Sequence, residues 1–204
     1  MNRSIISLLC LSLAGCAAVG PDFHAPEVQA PASYGDWHGG AASLRETALL
    51  RLFGLARIPM LFLASPRVLD LTKERAEVKI PLTRMTRNHL RSMYFGVLAI
   101  GADCAGGIIA AKLIDESGED VSLIFGEFHA KFLKRAEGDV HFICEDGKAI
   151  QELVKKTLET GERQSLPVRV VAKVPTLNGN DPVAEFTLQL SLKKRARKAA
   201  TGAA

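Results

Sequence analysis

The run NHLRSMYFGVLAIGADCAGG, residues 88–107, constrains the fold of this chain more than any other stretch. It continues as an apolar helical segment to about Ile114, yet it contains glycines at positions 96, 101, 106 and 107. Each glycine inside a helix costs about 1 kcal/mol relative to alanine. Small side chains let the backbone of another element come close. We therefore interpret the glycines and alanines of this run as the surface of a helix enclosed by a sheet.

The segments around this run have the periods of strands and of one further helix. Five stretches alternate between apolar and polar residues and predict strands, the first of them a strand or a hairpin: 67–83, 121–135, 139–146, 165–176 and 182–194. Residues 147–161 have apolar side chains at helical spacing. Asn178-Gly179 predicts a tight turn between the last two strands. Because no βαβ repeat is present, we predict an α+β fold with an antiparallel sheet wrapped around the long helix.

Residues 43–66 predict a helix in front of the sheet. Ser43 and Glu46 form a capping-box pattern. A helical period follows in the apolar positions Leu44, Ala48, Leu52 and Leu55 or Ala56. Gly54 and Pro59 interrupt the run. Because the segment also carries several charged residues, we expect a packed amphipathic helix rather than a membrane anchor.

The first sixteen residues, MNRSIISLLCLSLAGC, have the organisation of a secretory leader. Arg3 precedes an apolar run that is too short to span a bilayer as a helix. LAGC, residues 13–16, resembles a bacterial lipobox, in which Cys16 is lipidated and becomes the mature N-terminus. Ala17 after it implies, by the same resemblance, retention at the outer membrane. The alternative is an apolar leader on a cytosolic protein.

Residues 17–42 are rich in Pro, Ala and Gly and predict an extended linker. With the lipobox, the sequence GPDFHAPEV resembles the start of outer-membrane factor lipoproteins of tripartite drug-efflux systems, over residues 1–38 only. A chain of 204 residues cannot hold the barrel strands and coiled helices of those proteins, so the resemblance implies targeting rather than efflux. A fused or mis-started reading frame, which would make the protein cytoplasmic, is the alternative.

Charge and cysteine content exclude several other classes. Net charge is only +4, and part of it lies in the terminal KKRARKAATGAA, so nucleic-acid binding is not expected. The four cysteines form no C-x-x-C pair, and His129 and His141 have no metal-ligand spacing, so neither a metal site nor a cofactor is predicted. We interpret Cys104 and Cys144 as small buried hydrophobic residues.

From about residue 50 to 193 the chain resembles an uncharacterised hot-dog family, a domain of unknown function near the thioesterases. The long run at 88–107 carries the resemblance, and RIPMLFLASPRVL, VKIPLT, FLKRAEGDVHF and FTLQLSLKK support it more weakly. A hot-dog fold is a curled antiparallel sheet around a long central helix. The resemblance therefore implies a hot-dog domain at 43–193, followed by a basic disordered tail at 194–204.

The wider family contains acyl-CoA thioesterases of the phenylacetate-pathway type. Their motif is an Asn, a short gap, His-Gly-Gly, and an acid seven residues after the second glycine. Asn88, Gly96 and Asp103 match this motif, whereas Tyr94 and Phe95 replace the His and the first Gly. In the family that first glycine lets a thioester carbonyl approach the helix start. The resemblance thus implies that Phe95 blocks or reshapes this approach.

The spacing of Gly96 and Asp103 has a chemical meaning of its own. Seven residues make about two helical turns, so the two residues share a face. Free N–H groups at the helix start would polarise a carbonyl oxygen, and Asp103 would activate a water or attack directly. A carboxylate in an apolar run should have a raised pKa. The alternative is a structural Asp103 that is hydrogen-bonded across a dimer interface.

The remaining candidates surround the helix start. Asn88 is the second candidate catalytic residue by resemblance, and its alternative is the N-cap of the long helix. The candidate substrate-binding residues are His89, Tyr94, Phe95, Gly96, Arg87 and Arg91. Of these, His89 would orient substrate or be a solvated loop residue. The arginines, with Arg84, would bind CoA phosphates or be solvated.

Two functions of different classes stay open. The first is an acyl-thioester hydrolase acting on an acyl-CoA or acyl-carrier substrate, and the second is a non-catalytic acyl-binding or interaction module. A third function, that of an efflux-associated lipoprotein, is supported only by the N-terminal sequence. Exposed edge strands predict at least a homodimer with sites near its interface. A lipid on Cys16 would make the membrane a further partner, although CoA thioesters are cytosolic and a lipobox exports the chain.

Overall fold

A computed structural model describes residues 41–195. The predicted leader, most of the linker, Cys16 and nearly all of the basic tail lie outside the described residues. The elements within them, in chain order, are α1 Ala41–Arg57, α2 Pro59–Ala64, β1 Arg67–Leu71, β2 Ala76–Ile80, α3 Phe95–Ser117, β3 Val121–Phe132, β4 Val140–Cys144, α4 Gly147–Thr160, β5 Gln164–Lys173, α5 Pro175–Asn178 and β6 Pro182–Lys194.

The six strands form one antiparallel sheet in the order β1-β2-β4-β5-β6-β3. Alternate residues of β2 and β4 are buried, so one face of the sheet supplies the core. The pairing of β3 with β6 contains a bulge between Phe125 and Phe128. A bulge increases the local twist and bends its strand. The bend contributes to the curl that lets the sheet surround a helix.

α3 is the enclosed helix, as the glycine-bearing run predicts. A Cβ added at Gly101 would overlap the fully buried ring of Phe142 on β4. Gly106 and Gly107 face Val170 and Phe125 at ordinary contact distances of 3.4 and 3.5 Å from such a Cβ. α3 is long and apolar enough to cross a membrane by length and composition, but more than half of its apolar window is buried under the sheet. The predicted α+β hot-dog architecture is therefore confirmed.

Both cysteines in the described part of the chain lie in this core as free thiols. Burial raises the pKa of both, that of Cys144 to about 11. Their interpretation as small buried hydrophobic residues is confirmed.

Two local predictions at element ends are wrong. α1 begins at Ala41, so Ser43 lies inside the helix and is not its N-cap. Glu46, the other residue of the predicted capping box, pairs with Lys112 of α3 at 3.3 Å.

The connection between β5 and β6 is not a tight Asn-Gly turn. It contains the short helix α5, which ends at Gly179 with a φ of 56°. Pro175 starts this helix, because proline fits the first helical turn.

α1 exists as predicted, but its orientation is the reverse of the predicted one. Leu44, Leu52 and Leu55, expected to pack, are 73%, 62% and 57% exposed. The inward side carries polar groups together with Leu50, which packs against the core. The Val68 N–H of β1 donates to the Thr47 hydroxyl at 2.9 Å, and the Arg51 guanidinium donates to the Ser65 and Pro66 carbonyls. α1 therefore covers the β1 edge of the sheet with hydrogen-bonding side chains.

Candidate functional site

A hydrogen-bonded loop precedes α3 and positions its start. The Asn88 N–H donates to the Ser92 carbonyl at 2.8 Å, and Asn88 Oδ1 accepts from the N–H groups of Leu90 and Ser92. Arg91 completes the loop in the left-handed region with a φ of 63°. The helix begins only at Phe95. The N-cap interpretation of Asn88 is therefore wrong, because its amide closes the loop six residues before the actual N-cap, Tyr94.

Two backbone hydrogen bonds fix the helix start to the rest of the fold. The Tyr94 N–H donates to the Thr86 carbonyl at 2.9 Å, and the Met93 N–H donates to the Ala136 carbonyl at 2.8 Å. The hydroxyl of buried Thr86 in turn donates to the Pro81 carbonyl at 2.7 Å. Sequence reasoning missed Thr86, because a lone threonine in a polar loop carries no periodic signal. Its contribution is to hold the first turn of α3 in place.

The first turn of α3 presents free donors. Tyr94 O accepts the N–H groups of Val97 and Leu98 at 2.9 and 3.1 Å. Within residues 41–195, the N–H groups of Phe95 and Gly96 have no hydrogen-bond acceptor. These unpaired donors lie at the positive end of the helix dipole. The arrangement can bind an anion or polarise a carbonyl oxygen.

The Tyr94 ring lies against Gly96. A Cβ at Gly96 would lie 2.6 Å from Tyr94 Cε1, so a larger residue there would displace this ring. Gly96 therefore makes room for the Tyr94 side chain at the end of the preceding loop, and not for the sheet. The rings of Tyr94 and Phe95 contact each other with centroids 4.9 Å apart, and both are exposed.

Asp103 follows on the same face of the uninterrupted helix. It lies roughly 10 Å along the axis from Gly96, at 1.5 Å per residue, and its Cβ leans back toward the helix start. The side chain is half-buried, and no hydrogen-bond or ion-pair partner for it occurs in the described part of the chain. Burial raises the pKa of its carboxyl group, as the sequence predicts. Such a carboxylate can accept a proton from water.

The other candidates lie on the loop rather than beside Asp103. Arg87, His89 and Arg91 are exposed, and a backbone bridge joins Arg87 to Met93. The structure thus brings Tyr94, Phe95 and Gly96 together at the helix start, with basic side chains on the adjoining surface. No group of three or more potential metal ligands occurs within residues 41–195.

A comparison with family models matches residues 46–191 to the domain of unknown function DUF4442. The chain belongs to the DUF4442 family. The match includes the whole sheet except the end of β6, and all of the candidate residues from Arg87 to Asp103. A search of the curated proteins found no match.

Solved structures share the fold of this DUF4442 chain. A protein from Shewanella oneidensis, named as a candidate thioesterase, has a TM-score of 0.61 at 15% identity, over 74% of this chain and 99% of that one. A protein of unknown function from Chlorobaculum tepidum has a TM-score of 0.62 at 16% identity, over 75% and 97%. A thioesterase from Haemophilus influenzae has a TM-score of 0.54 at 12% identity, over 72% and 92%. At these identities the likeness shows the hot-dog fold.

Proposed function

We propose that this DUF4442 protein is an acyl-thioester hydrolase in which Asp103 assists the attack of water on the thioester carbonyl. The observation that carries the proposal is the arrangement on α3. A half-buried carboxylate with a raised pKa and no partner in the described residues lies two turns from two free N–H groups. The neighbours named as thioesterases share this fold, which supports the reaction class.

The reaction follows from these groups. The N–H groups of Phe95 and Gly96 donate to the carbonyl oxygen and stabilise the negative charge that develops there. Water adds to the carbonyl carbon while the Asp103 carboxylate takes its proton. The tetrahedral intermediate then collapses, the C–S bond breaks, and the thiolate leaves. Asp103 returns the proton to the leaving sulfur, so that the products are a carboxylic acid and a thiol.

The substrate is an acyl thioester on CoA or on an acyl carrier. Arg87 and Arg91 project from the loop beside the helix start and would bind the phosphates common to both carriers. Asn88 keeps this loop closed through its side-chain hydrogen bonds, and His89 would orient the substrate from the same loop. We further propose that the protein acts as a dimer with each site near the interface.

We propose that the protein is an outer-membrane lipoprotein anchored through Cys16. The lipobox-like LAGC supports this location, as does the short leader, in which a basic residue precedes an apolar run. Export would separate the enzyme from cytosolic CoA thioesters. If translation starts at a different codon, the protein would instead be cytoplasmic. Mass spectrometry of the N-terminus of the native protein tests the location. A diacylated Cys16 supports it, and an unmodified cytosolic N-terminus would refute it.

A second function, acyl binding without hydrolysis, is favoured by one observation. The Tyr94 ring lies against Gly96, the residue that carries one of the two free N–H groups. In this case the fold would hold an acyl thioester without polarising its carbonyl.

Hydrolysis of a panel of acyl-CoA and acyl-carrier substrates distinguishes the two functions. The Asp103→Asn variant should lose about a hundredfold or more in rate, the scale of general-base catalysis. Asp115→Asn, which removes an exposed carboxylate from the same helix, should keep the wild-type rate. Saturable binding with no turnover by the wild type would favour the binding function. Equal turnover by wild type and Asp103→Asn would remove Asp103 from the mechanism.

A further inference from the structure

Most of the large apolar side chains of α1 and α2 are exposed, and only Leu50, Leu61 and Ala64 pack inward on the core. The other inward groups of α1 include polar ones: Thr47 and Arg51 bond to backbone around β1, and Glu46 pairs with Lys112. The outward side chains of both helices are exposed: Leu44, Leu49, Leu52, Phe53, Leu55, Met60, Phe62 and Leu63. We call these eight residues the outward face. An apolar surface of this extent on a soluble protein marks an interaction site.

The exposed charges on the segment that carries the outward face have one sign. Among residues 44–67 the exposed charged side chains are Arg45, Arg57 and Arg67. The single acid of this segment, Glu46, is largely shielded and is paired with Lys112. An apolar face bordered by arginines complements a surface that is apolar inside and anionic outside. The boundary between the headgroups and acyl chains of an anionic bilayer has this composition.

α1 follows the candidate lipid anchor closely in the sequence. α1 is the first described element, and residues 17–40 connect it to Cys16. A lipid on Cys16 would be separated from α1 by these 24 residues of the sequence. α1 itself is 17 residues long and is separated from Pro59 only by Ile58, so it suits a position in the interface rather than across the membrane.

A second copy fits this surface less well than a bilayer does. Two copies related by a two-fold axis would pair the same surface with itself. The exposed arginines of one copy would then face those of the other, with no exposed acid in the segment to neutralise them.

We propose that the outward face of α1 and α2 docks on the interface of an anionic lipid bilayer. The proposal extends beyond thioester hydrolysis and does not depend on it. Docking would hold the domain in one orientation on the membrane, with its apolar helices in the headgroup region. A lipid anchor alone would leave the orientation free.

Vesicle sedimentation tests the proposal on the full chain carrying Cys16→Ser, which removes the candidate anchor. The protein should bind vesicles of equimolar phosphatidylcholine and phosphatidylglycerol, and bind pure phosphatidylcholine more weakly. Leu52→Gln with Phe53→Gln should lower the binding by about tenfold or more, because two large apolar side chains no longer enter the bilayer. Arg45→Gln with Arg57→Gln should weaken binding to the anionic vesicles only.

The matched control is Met85→Gln with Leu177→Gln, which removes two apolar side chains of similar exposure from outside the outward face. This control should bind vesicles like the parent. Equal losses in both double variants would overturn the proposal, as would the absence of binding to either vesicle. If Leu52→Gln with Phe53→Gln instead converts a dimer into a monomer in light scattering and leaves vesicle binding unchanged, a second copy covers the face and the proposal is wrong.

Discussion

The Asp103 carboxylate lowers the stability of the fold at neutral pH and is also the proposed general base. Its folded-state pKa lies above its ordinary value of 3.8 because burial disfavours the charged form. As pH rises past the unfolded pKa, the unfolded chain releases this proton before the folded chain does, so stability falls. Above the folded pKa the loss is complete and constant. At neutral pH the carboxylate therefore destabilises the fold.

Asp103→Asn should consequently melt at a higher temperature than wild type at neutral pH. The difference in melting temperature should shrink as pH falls and vanish below about pH 3.9, where Asp103 is protonated in both the folded and the unfolded state. Thermal melts from about pH 3 to pH 8 measure it. A lower melting temperature for the variant at neutral pH would instead assign Asp103 a structural partner, such as one across a dimer interface.

Tyr94 is the second residue whose role the site makes testable. Its ring lies against Gly96 and is exposed, so we expect its removal to give a substrate more access to the free N–H groups with little effect on packing. We expect Tyr94→Ala to raise kcat/KM for thioester hydrolysis several-fold. Phe95→Ala is the control, because it removes the other exposed ring at the helix start. An increase in Phe95→Ala alone would show that Phe95 is the screening ring.

At the scale of elements, the contact between α3 and β4 depends on one glycine. A methyl group at Gly101 would overlap the ring of Phe142, which has no free space because it is fully buried. Gly101→Ala should therefore lower the free energy of unfolding by about 1–3 kcal/mol, the usual effect of overpacking. Urea denaturation measures the change.

Gly106→Ala is the matched substitution on the same helix. Its methyl group would reach only van der Waals distance, 3.4 Å from Val170. It should therefore raise stability by up to about 1 kcal/mol through helix propensity. Equal effects at positions 101 and 106 would contradict the packing interpretation. Gly101→Ala combined with Phe142→Leu should recover part of the loss.

Sequence patterns predicted the elements better than their ends and orientations. The alternation in residues 67–80 and the small residues of α3 predicted the hairpin and the enclosed helix, because period and side-chain size are local properties. The start of α3 was predicted too early, because hydrogen bonds around Asn88 hold the loop and delay the helix to Phe95. The orientation of α1 could not be predicted. Its inward face bonds to backbone carbonyls and N–H groups, which sequence periodicity does not reveal.

The same distinction holds for the site. The spacing of Gly96 and Asp103 predicted their common helix face, and the apolar run around Asp103 predicted the raised pKa of its carboxyl group. The packing of Tyr94 on Gly96 depends on the loop conformation, and the anchoring by Thr86 depends on a contact with another segment. Neither leaves a pattern in the sequence.

For the whole molecule, the two edges of the sheet differ. α1 covers the short β1 edge through Thr47, whereas the twelve-residue β3 has no strand beyond it in the described part of the chain. Ile124, Phe128 and Phe132 are exposed on β3. A long apolar edge strand tends to pair with another strand. We therefore expect the protein to dimerise through β3.

Light scattering should give at least a dimer mass for the wild type. Ile124→Lys should shift the protein toward monomer, because a charge at the strand edge opposes pairing. Leu177→Lys, a similar change on exposed α5, should leave the mass unchanged. A wild-type monomer at every concentration would contradict the dimer.

The buried thiols make this domain indifferent to the redox state of its surroundings. Cys104 and Cys144 are free and shielded, with pKa values raised well away from the reactive thiolate form. In the full chain with Cys10→Ser and Cys16→Ser, a colour-forming thiol reagent should therefore detect no thiol until the protein unfolds, when both thiols react together. Reaction in native buffer would contradict this. Because neither cysteine within residues 41–195 forms a disulfide, we expect this domain to fold alike in reducing and oxidising surroundings, without rearranging a covalent bond.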